Sequence, residues 1–488
     1  MKRLGKHGVF LVCIFSLLFM AAYSPSILMA AKMDKKAKAS KIDSESSWAG
    51  KINAKFDISK MADMSDCDPG NPVVPTGDVI KIAHVSTFSG PGTINGEFHF
   101  AAMYWAVHDI NKRGGIWVDG KKKLVALIKS DTMAKPDQAK IICERMILQE
   151  KVQFLVGTTG SNIMKVMNEV GNKYKIPVMN EGALADELMD ATNFGRYAFM
   201  SSASAQQIGR GLAYYYGQVK KKEKKFYILC QDYSFGHSLA DGFKVGLKEY
   251  YPEAQLVGED YHKFYLTDFA PYLEKIKASG AEVIYTGDFV PDAANLLKQS
   301  RQMGIMLPFA GLFMNDPNFL HEVGVEMSKG IVNIDMHDVF PAFKYPGYGK
   351  YHNTWIKQWE TWTTAPFNTR QFEHGSTNLG FYTQQMYWLL SVIERAKSTD
   401  PEKIIKVWEN DTYRFANGKV IKMRACDHKA IQDLMVTEFV PWEQQKASFN
   451  IPPYYWFKGA SFNGPGVMIP AEKVMPWMDP KLDRCAGK

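Results

Sequence analysis

Hydrophobic and polar residues follow two spacings along the chain from about residue 79, and together they predict alternating strands and helices. The apolar run IKIAHV (80–85) predicts a buried strand. The segment after it repeats apolar residues three and four positions apart, among them Phe98, Ala101 and Trp105, as one face of a helix does. Further strands are predicted at LVALI, FLV and IPVMN, with a helix between each pair. This βαβαβ order indicates a parallel sheet with helices on both faces.

A second run of the same kind begins after YAFMS (197–201). The strands FYILC, AQLVGE, EVIYTG and PFAGL alternate there with predicted helices. Two successive open sheets predict an α/β protein with two Rossmann-like lobes. After residue 331 the chain becomes more aromatic and more helical, and one further strand-like segment lies at 435–440.

The first 31 residues have the pattern of a secretory signal peptide. Basic residues at positions 2, 3 and 6 precede an apolar run from Val9 to Ala22, and small residues follow around Ala30 and Ala31. A retained membrane anchor is the alternative, but the run is short for a bilayer span. Cys13 lies within the apolar run and not at its end, so we expect no lipid attachment at this cysteine. The mature protein is predicted to be exported and soluble.

Residues 32–78 are rich in Lys, Ser and Asp and show neither spacing, which predicts a flexible linker. The chain of 488 residues carries a formal net charge of +8, of which the signal contributes +3 and residues 31–60 contribute +4. The predicted lobes are therefore nearly neutral, and nucleic acid is not expected as a partner. With 46% hydrophobic and 23% charged residues, the composition is that of a folded globular protein.

Five cysteines remain once the signal is removed, and none of them forms a CxxC pair. An odd number in an oxidising compartment leaves at least one thiol unpaired or paired between chains. Cys143 lies on an apolar helix face and Cys230 ends a strand, so we interpret both as core residues. The candidates for a disulfide are Cys67, Cys426 and Cys485, and the sequence leaves their pairing open.

Motifs for catalysis and for metal or cofactor binding are absent from the sequence. The stretch FLVGTTGSN (154–162) lacks the GK[ST] of a phosphate loop and the GxGxxG of a dinucleotide site. It is also no GxSxG nucleophile elbow, and the chain has no HExxH and only scattered histidines. We therefore expect no catalytic residue, no metal site and no cofactor.

The same stretch has the properties of an anion site. A predicted strand ends at Val156 and delivers small residues to the start of a helix, where unpaired backbone N–H groups and the helix dipole favour a negative charge. The Ser161 hydroxyl adds a donor, and Thr159 lies two residues before it in the same loop. A carboxylate would fit such a site. The alternative is that Ser161 only caps the helix.

Other loops follow neighbouring strands, and ligands of open α/β sheets bind at the carboxyl ends of strands. NEGAL (180–184) follows a strand of the first lobe and offers small groups. QDYSFG (231–236), GDFVPD (287–292) and GLFMND (311–316) follow strands of the second lobe and offer aromatic groups. This layout predicts a cleft that closes on a small ligand, with its anion on one lobe and its apolar part on the other.

From about residue 79 to residue 440 the chain resembles the exported substrate-binding proteins of ABC transporters, in the branched-chain amino-acid group with the type I periplasmic-binding fold. The resemblance depends on the order of several stretches: IKIAHVSTFSGPG, AVHDINKRGGI, DTMAKPDQAKIICERMI, FLVGTTGSN, IPVMNEGALADEL, QDYSFGHSLADGFKVGL, YTGDFVPDAANLLKQSRQMGI, KSTDPEKI and MRACDHKAIQ. It implies a periplasmic protein whose two lobes, joined by three crossovers, close over a small ligand as a hinged clamp. The closed form then docks on a membrane permease, without catalysis.

The resemblance also implies a division of the chain. Residues 79–200 plus 336–424 would form lobe 1, residues 201–335 plus 425–450 would form lobe 2, and residues 451–488 would be an aromatic C-terminal tail. A ligand-sensing subunit for a membrane receptor is an alternative within the same class of protein. A secreted α/β hydrolase is a further alternative from a different class, and the missing nucleophile elbow disfavours it.

On the first lobe, the resemblance implies four contacts to the ligand. Ser161 takes the place of the hydroxyl that binds the ligand carboxylate. Gly182 and Ala183 take the carbonyl and amide positions after the next strand. Asn95 lies in the loop that shapes side-chain specificity.

On the second lobe, Phe235 and Phe289 take the aromatic positions of the family. Leu184 and Phe313 depart from the family pattern, because they replace a threonine and an acidic residue that would hold an α-ammonium group. Asp288 could supply the missing charge if its side chain points into the cleft, and the alternative is a solvated loop aspartate. The three phenylalanines favour an aromatic or flat apolar carboxylate, or a neutral amide. An ordinary amino acid would need Asp288 or another acid, because a buried unpaired ammonium costs several kcal/mol.

Overall fold

The computed structural model describes residues 52–90, 92–289, 291–314, 323–336, 348–359, 361–362, 379–441, 461–463, 466–476 and 481–486. The predicted signal peptide, the first part of the predicted linker and part of the predicted tail lie outside these ranges. The described residues belong to one unit, which spans residues 46–488. Within them, no helix is both long and apolar enough to cross a membrane.

Strands and helices alternate through most of the described chain. The strands are β1 (Ala54–Lys55), β2 (Ile80–Ser86), β3 (Ile116–Val118), β4 (Lys121–Lys123), β5 (Val125–Asp131), β6 (Phe154–Gly157), β7 (Val178–Asn180), β8 (Ala198–Met200), β9 (Lys225–Gln231), β10 (Gln255–His262), β11 (Val283–Thr286), β12 (Phe309–Gly311), β13 (Ile331–Asp335), β14 (Thr412–Arg414), β15 (Val420–Met423), β16 (Ala430–Ile431), β17 (Leu434–Pro441), β18 (Ser461–Asn463) and β19 (Val467–Ile469). The α-helices are α1 (Thr93–Lys112), α2 (Pro136–Leu148), α3 (Ser161–Tyr174), α4 (Ala205–Tyr214), α5 (Ser234–Tyr250), α6 (Ala270–Ser279), α7 (Asp292–Gln302), α8 (Tyr348–Trp359), α9 (Leu379–Ala396) and α10 (Pro401–Trp408).

The first lobe contains a five-stranded sheet in the order β5-β2-β6-β7-β8, and all its pairs are parallel. Helix α1 follows β2 and is buried from Gly96 to Val107, because α9 packs along it on the side away from the sheet. Trp105 and Trp388, one on each of these helices, are fully buried. The predicted parallel α/β sheet is confirmed for this lobe.

The second lobe contains the sheet β10-β9-β11-β12-β13-β17-β18, with β19 paired to β17. The pairs from β10 to β13 are parallel, and the later pairs are antiparallel. The predicted segment at 435–440 is the core of β17. The fold is therefore the predicted one, with two α/β lobes, and both sheets place the carboxyl ends of their parallel strands before the loops NEGAL, QDYSFG, GDFVPD and GLFMND.

Residues 52–78 differ from the predicted flexible linker, because they pack against the first lobe. Strand β1 pairs with β14, and the Phe56 ring lies 4.6 Å from the ring of Tyr387. The backbone carbonyl of Cys67 accepts hydrogen bonds from the side chains of Gln358 and Trp362, at 2.8 and 2.6 Å. These contacts are made by single residues at irregular spacing, so neither hydrophobic period marks them in the sequence.

The C-terminal residues contact both lobes. Strand β19 pairs with β17 in the second lobe, whereas the Ala191 N–H of the first lobe donates to the Leu482 carbonyl at 2.9 Å. A disulfide joins Cys426 to Cys485, so the structure pairs two of the three candidate cysteines and leaves Cys67 as a buried thiol.

The chain returns to the second lobe later than predicted. Strand β16 pairs with β15, and Lys429 bridges to Met200 at the end of β8 in the first lobe. The Lys429 ammonium also lies 2.9 Å from the carboxylate of Asp186, and both groups are buried. The stretch 425–431 therefore packs with the first lobe, and β17 is the first strand of the return.

Candidate ligand-binding site

The loop that joins β6 to α3 forms the predicted anion site of the first lobe. A Cβ atom at Gly157 would lie 2.0 Å from the Val85 carbonyl oxygen, so only glycine allows this approach of the two backbones. Helix α3 begins at Ser161, and its N-cap is Gly160, which makes no side-chain capping bond. Thr159 lies half-buried in the same loop.

Ser161 does not cap the helix, so the capping alternative is wrong. Its side chain is 2% exposed, and its Oγ atom has no hydrogen-bond partner among the described residues. A buried hydroxyl without a partner costs about 1–3 kcal/mol, which a ligand oxygen at this place would offset. The first N–H groups of α3 are directed to the same side by the helix geometry.

The loop after β7 holds Gly182 and Ala183 in different environments. Asn180 clamps Ala183, because the Ala183 N–H donates to Asn180 Oδ1 at 2.9 Å and Asn180 Nδ2 donates to the Ala183 carbonyl at 2.7 Å. The Ala183 amide is therefore already used within the protein. Gly182 is half-buried, and a Cβ atom there would lie 3.5 Å from the Tyr382 hydroxyl. Of the two predicted positions, Gly182 is the one that borders accessible space.

A buried His–Glu–His cluster lies next to Gly182, and the sequence interpretation missed it. His84 Nε2 lies 3.1 Å from both carboxylate oxygens of Glu181, and His99 Nδ1 lies 3.0 Å from Glu181 Oε1. Burial alone would raise the pKa of Glu181, but the two imidazoles outweigh burial and lower that pKa to about 2. Burial lowers the pKa of His99, although Glu181 opposes this shift.

Tyr382, on α9, lies near charged groups of both lobes. Its ring stacks on His99, with ring centroids 3.6 Å apart. Burial raises the pKa of Tyr382 well above its usual value, and the charges of Glu181 in the first lobe and Asp335 in the second add to the shift. Asp335 is the last residue of β13, so groups from both lobes act on one side chain at this place.

Five aromatic rings form a closed circuit at the edge of the second sheet. Consecutive ring centroids are 5.7, 6.0, 6.1, 6.2 and 4.8 Å apart around the circuit, in the order Tyr233, Phe235, Phe313, Phe289, Phe264 and back to Tyr233. We call these five residues the aromatic ring cluster. The structure thus brings together the three phenylalanines named from the sequence, and it adds Tyr233 and Phe264. Phe235 is buried, whereas Phe264 is 37% exposed.

The aromatic ring cluster depends on a close packing of α5 against β9. A Cβ atom at Gly236 would lie 2.1 Å from the Gln231 carbonyl oxygen, so the helix can start this close to the strand only with glycine. Helix α5 begins at Ser234, and Phe235 therefore lies in its first turn.

Asp288 is buried, and the solvated alternative is wrong. Its Oδ2 atom lies 2.8 Å from His262 Nε2, and His262 Nδ1 lies 2.9 Å from the Lys263 carbonyl oxygen. Burial alone would lower the pKa of His262, but the hydrogen bond and charge of Asp288 outweigh it and raise that pKa. Burial raises the pKa of Asp288. His262 and Asp288 therefore form a buried, hydrogen-bonded pair of titratable groups inside the second lobe.

Asn95 lies in the first turn of α1, close to the end of β2, and it is half-buried. Its backbone N–H donates to the Gly92 carbonyl at 3.1 Å. No contact among the described residues joins it to the other predicted site residues. Its part in specificity therefore stays a prediction.

A two-lobed α/β protein with an unpartnered buried hydroxyl at a helix start on one sheet edge and an aromatic surface on the other has features expected of a ligand-binding protein. The periplasmic binding protein family matches the chain over residues 79–446, and the chain belongs to this family. Its members are solute-binding proteins and not enzymes, which agrees with the predicted absence of catalysis.

Two curated relatives match part of the chain. An amino acid binding protein of Pseudomonas aeruginosa is 30% identical over 231 residues, which cover 45% of this chain and 58% of the relative. The leucine-specific-binding protein of Salmonella typhimurium is 26% identical over 234 residues, which cover 48% of this chain and 61% of the relative. The chain thus spans less than two thirds of the length of each of these relatives.

Solved structures match over more of the chain. A periplasmic binding protein of Burkholderia mallei superposes with a TM-score of 0.67 at 21% identity, covering 84% of this chain and 99% of that one. A solute binding protein of an ABC transporter from Rhodopseudomonas palustris, in complex with 4-hydroxybenzoate, superposes with a TM-score of 0.64 at 18% identity, covering 81% and 98%. These similarities confirm the type I periplasmic-binding fold.

Proposed function

We propose that this protein is an exported solute-binding protein that captures a small organic carboxylate between its lobes and delivers it to the permease of an ABC transporter. The observation that carries the proposal is the Ser161 hydroxyl, which is buried without a partner at the start of α3. The positive end of the helix dipole lies at the same point, where a carboxylate can accept from the Ser161 hydroxyl and from the first backbone N–H groups, whereas the Ile163 N–H already donates to Asn162 Oδ1 at 3.0 Å.

The opposite side of the ligand would contact the aromatic ring cluster. Flat apolar groups bind well between aromatic side chains, because large apolar areas leave water and the rings adopt edge or offset contacts. The ligand class is therefore an amino acid or an aromatic or apolar carboxylate, with an amide as a further member. The amino acid binding protein of Pseudomonas aeruginosa and the Rhodopseudomonas palustris protein bound to 4-hydroxybenzoate support this range of ligands.

The predicted signal peptide and the family membership support export to the periplasm. The family membership also supports docking of the closed form on a permease in the inner membrane.

The first experiment identifies the ligand directly. Protein purified from its natural host is denatured, and the released small molecules are analysed by mass spectrometry. The refolded protein is then tested by thermal shift with aromatic carboxylates, aliphatic amino acids and amides, because a tight ligand stabilises the native state by mass action. We expect a carboxylate to be released and to raise the melting temperature. No released ligand and no shift with any compound would contradict the proposed function.

The second experiment removes the Ser161 hydroxyl. Ser161→Ala should weaken binding of the identified carboxylate roughly tenfold to hundredfold in isothermal titration calorimetry, which is the usual worth of a hydrogen bond to a charged group. Ser300→Ala is the matched control, because the Ser300 hydroxyl is also buried but donates to the Ile305 carbonyl within the second lobe. The control should lower thermal stability and leave affinity unchanged.

A further inference from the structure

His99 lies beside Gly182, a residue of the loop that follows β7, the strand next to β6. Its Cε1 atom is 3.7 Å from the position that a Cβ atom would take at Gly182, and Gly182 is half-buried. The ring is fixed between the Glu181 carboxylate and the stacked ring of Tyr382. A ligand that reaches Gly182 would therefore meet the edge of the His99 imidazole.

The two nitrogens of His99 have different surroundings. Nδ1 faces the Glu181 carboxylate, which can only accept, so Nδ1 carries a proton. Nε2 has no partner in the described part of the chain, and it is not sealed inside the protein. In this respect His99 differs from His84, whose Nδ1 atom is buried without a partner. In the neutral ring, Nε2 carries a lone pair and accepts hydrogen bonds.

We propose that His99 Nε2 accepts a hydrogen bond from a proton-donating group of the bound ligand, and that Glu181 holds His99 in the tautomer that this requires. The inference rests on the proposed function and narrows its ligand class. The ligand would be a flat apolar carboxylate that bears an ammonium or hydroxyl group next to the carboxylate.

The charges around His99 favour a ligand group that donates a hydrogen bond, and they favour a cationic donor most. The titratable groups that face the ring are His84 from β2, Glu181 from the loop after β7 and Tyr382 from α9. In the described part of the chain, the ion-pair partners of Glu181 are the two histidines. With neutral rings the cluster keeps one negative charge, which attracts an ammonium group through His99. This cluster would supply what the threonine and the acid replaced by Leu184 and Phe313 supply in the family pattern.

The test compares two probes that differ only in the donor. L-phenylalanine and 3-phenylpropanoate share the carboxylate and the aromatic ring, and only the first has an ammonium group. Isothermal titration calorimetry measures both against wild type, His99→Asn, His99→Gln and His428→Gln. An asparagine can still donate to Glu181 from the Nδ1 position but has no group at the Nε2 position. A glutamine at position 99 restores a carbonyl oxygen there. His428→Gln is the matched control, because His428 is also a buried histidine that lies 3.0 Å from a glutamate and stacks on an aromatic ring, with no predicted site residue among its partners.

We expect wild type to bind L-phenylalanine at least about tenfold more tightly than 3-phenylpropanoate, in line with one hydrogen bond to a charged group. His99→Asn should remove this difference, His99→Gln should restore part of it, and the control His428→Gln should keep it. Acidification should narrow the difference in wild type, because protonation of Nε2 removes the lone pair.

Equal affinity for the two probes in wild type, or an unchanged difference in His99→Asn, would overturn the inference. The proposed function would survive that result if Ser161→Ala still weakened both probes. Failure of wild type to bind either probe would overturn the inference, whereas the proposed function is tested by the released ligand and by the thermal-shift panel.

Discussion

The carboxyl edges of the two sheets are built from opposite kinds of residues. The edge of the first lobe carries Ser161, Gly182 and the His84–Glu181–His99 cluster, which are small, polar or charged. The edge of the second lobe carries the aromatic ring cluster, and its own charged pair, Asp288 with His262, is closed off beneath it. This difference supports the proposal that electrostatics on the first lobe orient the ligand and that the second lobe contributes apolar area. The charged pair of the second lobe is buried within it.

The largest expected effect comes from removing the Glu181 carboxylate from the sheet edge of the first lobe. Glu181→Ala leaves two buried imidazole N–H groups without an acceptor, at about 1–3 kcal/mol each, so we expect the free energy of unfolding to fall by about 2–6 kcal/mol. Urea denaturation measures the change. Glu169→Gln, at an exposed position on α3, is the control and should change little. A loss no larger than that of the control would show that the cluster does not stabilise the first lobe.

The charged pair of the second edge gives the next effect. Asp288→Asn should lower the free energy of unfolding by about 1–3 kcal/mol, because the hydrogen bond from His262 loses its charged acceptor. Ligand affinity should change less than about threefold, since Asp288 is already paired. A large loss of affinity confined to ammonium-bearing ligands would instead make Asp288 the counter-charge of the ligand.

The same pair predicts a pH dependence of stability. The pKa values of His262 and of Asp288 are both raised in the folded protein. A raised folded-state pKa contributes stability that is complete below the unfolded value and is lost as the pH rises through the folded value. The difference in stability between wild type and Asp288→Asn should therefore be larger near about pH 6 than near about pH 9, because His262 loses its proton over this range. A stability difference between the two proteins that grows with pH would contradict the conclusion that this pair binds its proton more tightly in the folded state.

The smallest effect is expected in the aromatic ring cluster, where a substitution should lower ligand affinity more than stability. Phe264 is 37% exposed, so Phe264→Ala should remove a contact with the ligand and cost little packing in the core. We expect affinity for an aromatic carboxylate to fall about threefold to tenfold, as the loss of one aromatic contact does. Trp117→Ala, at an exposed position on the β3–β4 hairpin, is the control. If Phe264→Ala and the control have equal affinity, the cluster does not contact the ligand.

The sequence predicts most of the fold and the approximate place of the site, because both follow local rules. Apolar periods mark the strands, and ligand loops follow the carboxyl ends of parallel strands. The three phenylalanines lie in such loops, so their approach to one another could be expected. Ser161 could be placed in the same way, and only the structure shows that its hydroxyl is buried without a partner.

The partners of buried charges could not be predicted from local patterns. Glu181 meets His84 and His99 across 97 and 82 positions of the chain, and neither distance leaves a motif. Asp288 meets His262 across 26 positions, at the ends of two strands that are not neighbours in the sheet. The packing of residues 52–78 against the first lobe could not be predicted for a related reason, because single residues such as Phe56 make the contacts. Such pairings depend on the three-dimensional order of the strands and helices.

A crystal structure of the protein with its released carboxylate bound would test the central claim most directly, through the distance from Ser161 Oγ to the nearest ligand oxygen. We predict a carboxylate oxygen about 2.5–3.0 Å from Ser161 Oγ, with the apolar end of the ligand against the aromatic ring cluster. A ligand whose carboxylate lies against the second lobe, with the Ser161 hydroxyl still without a partner, would contradict the account.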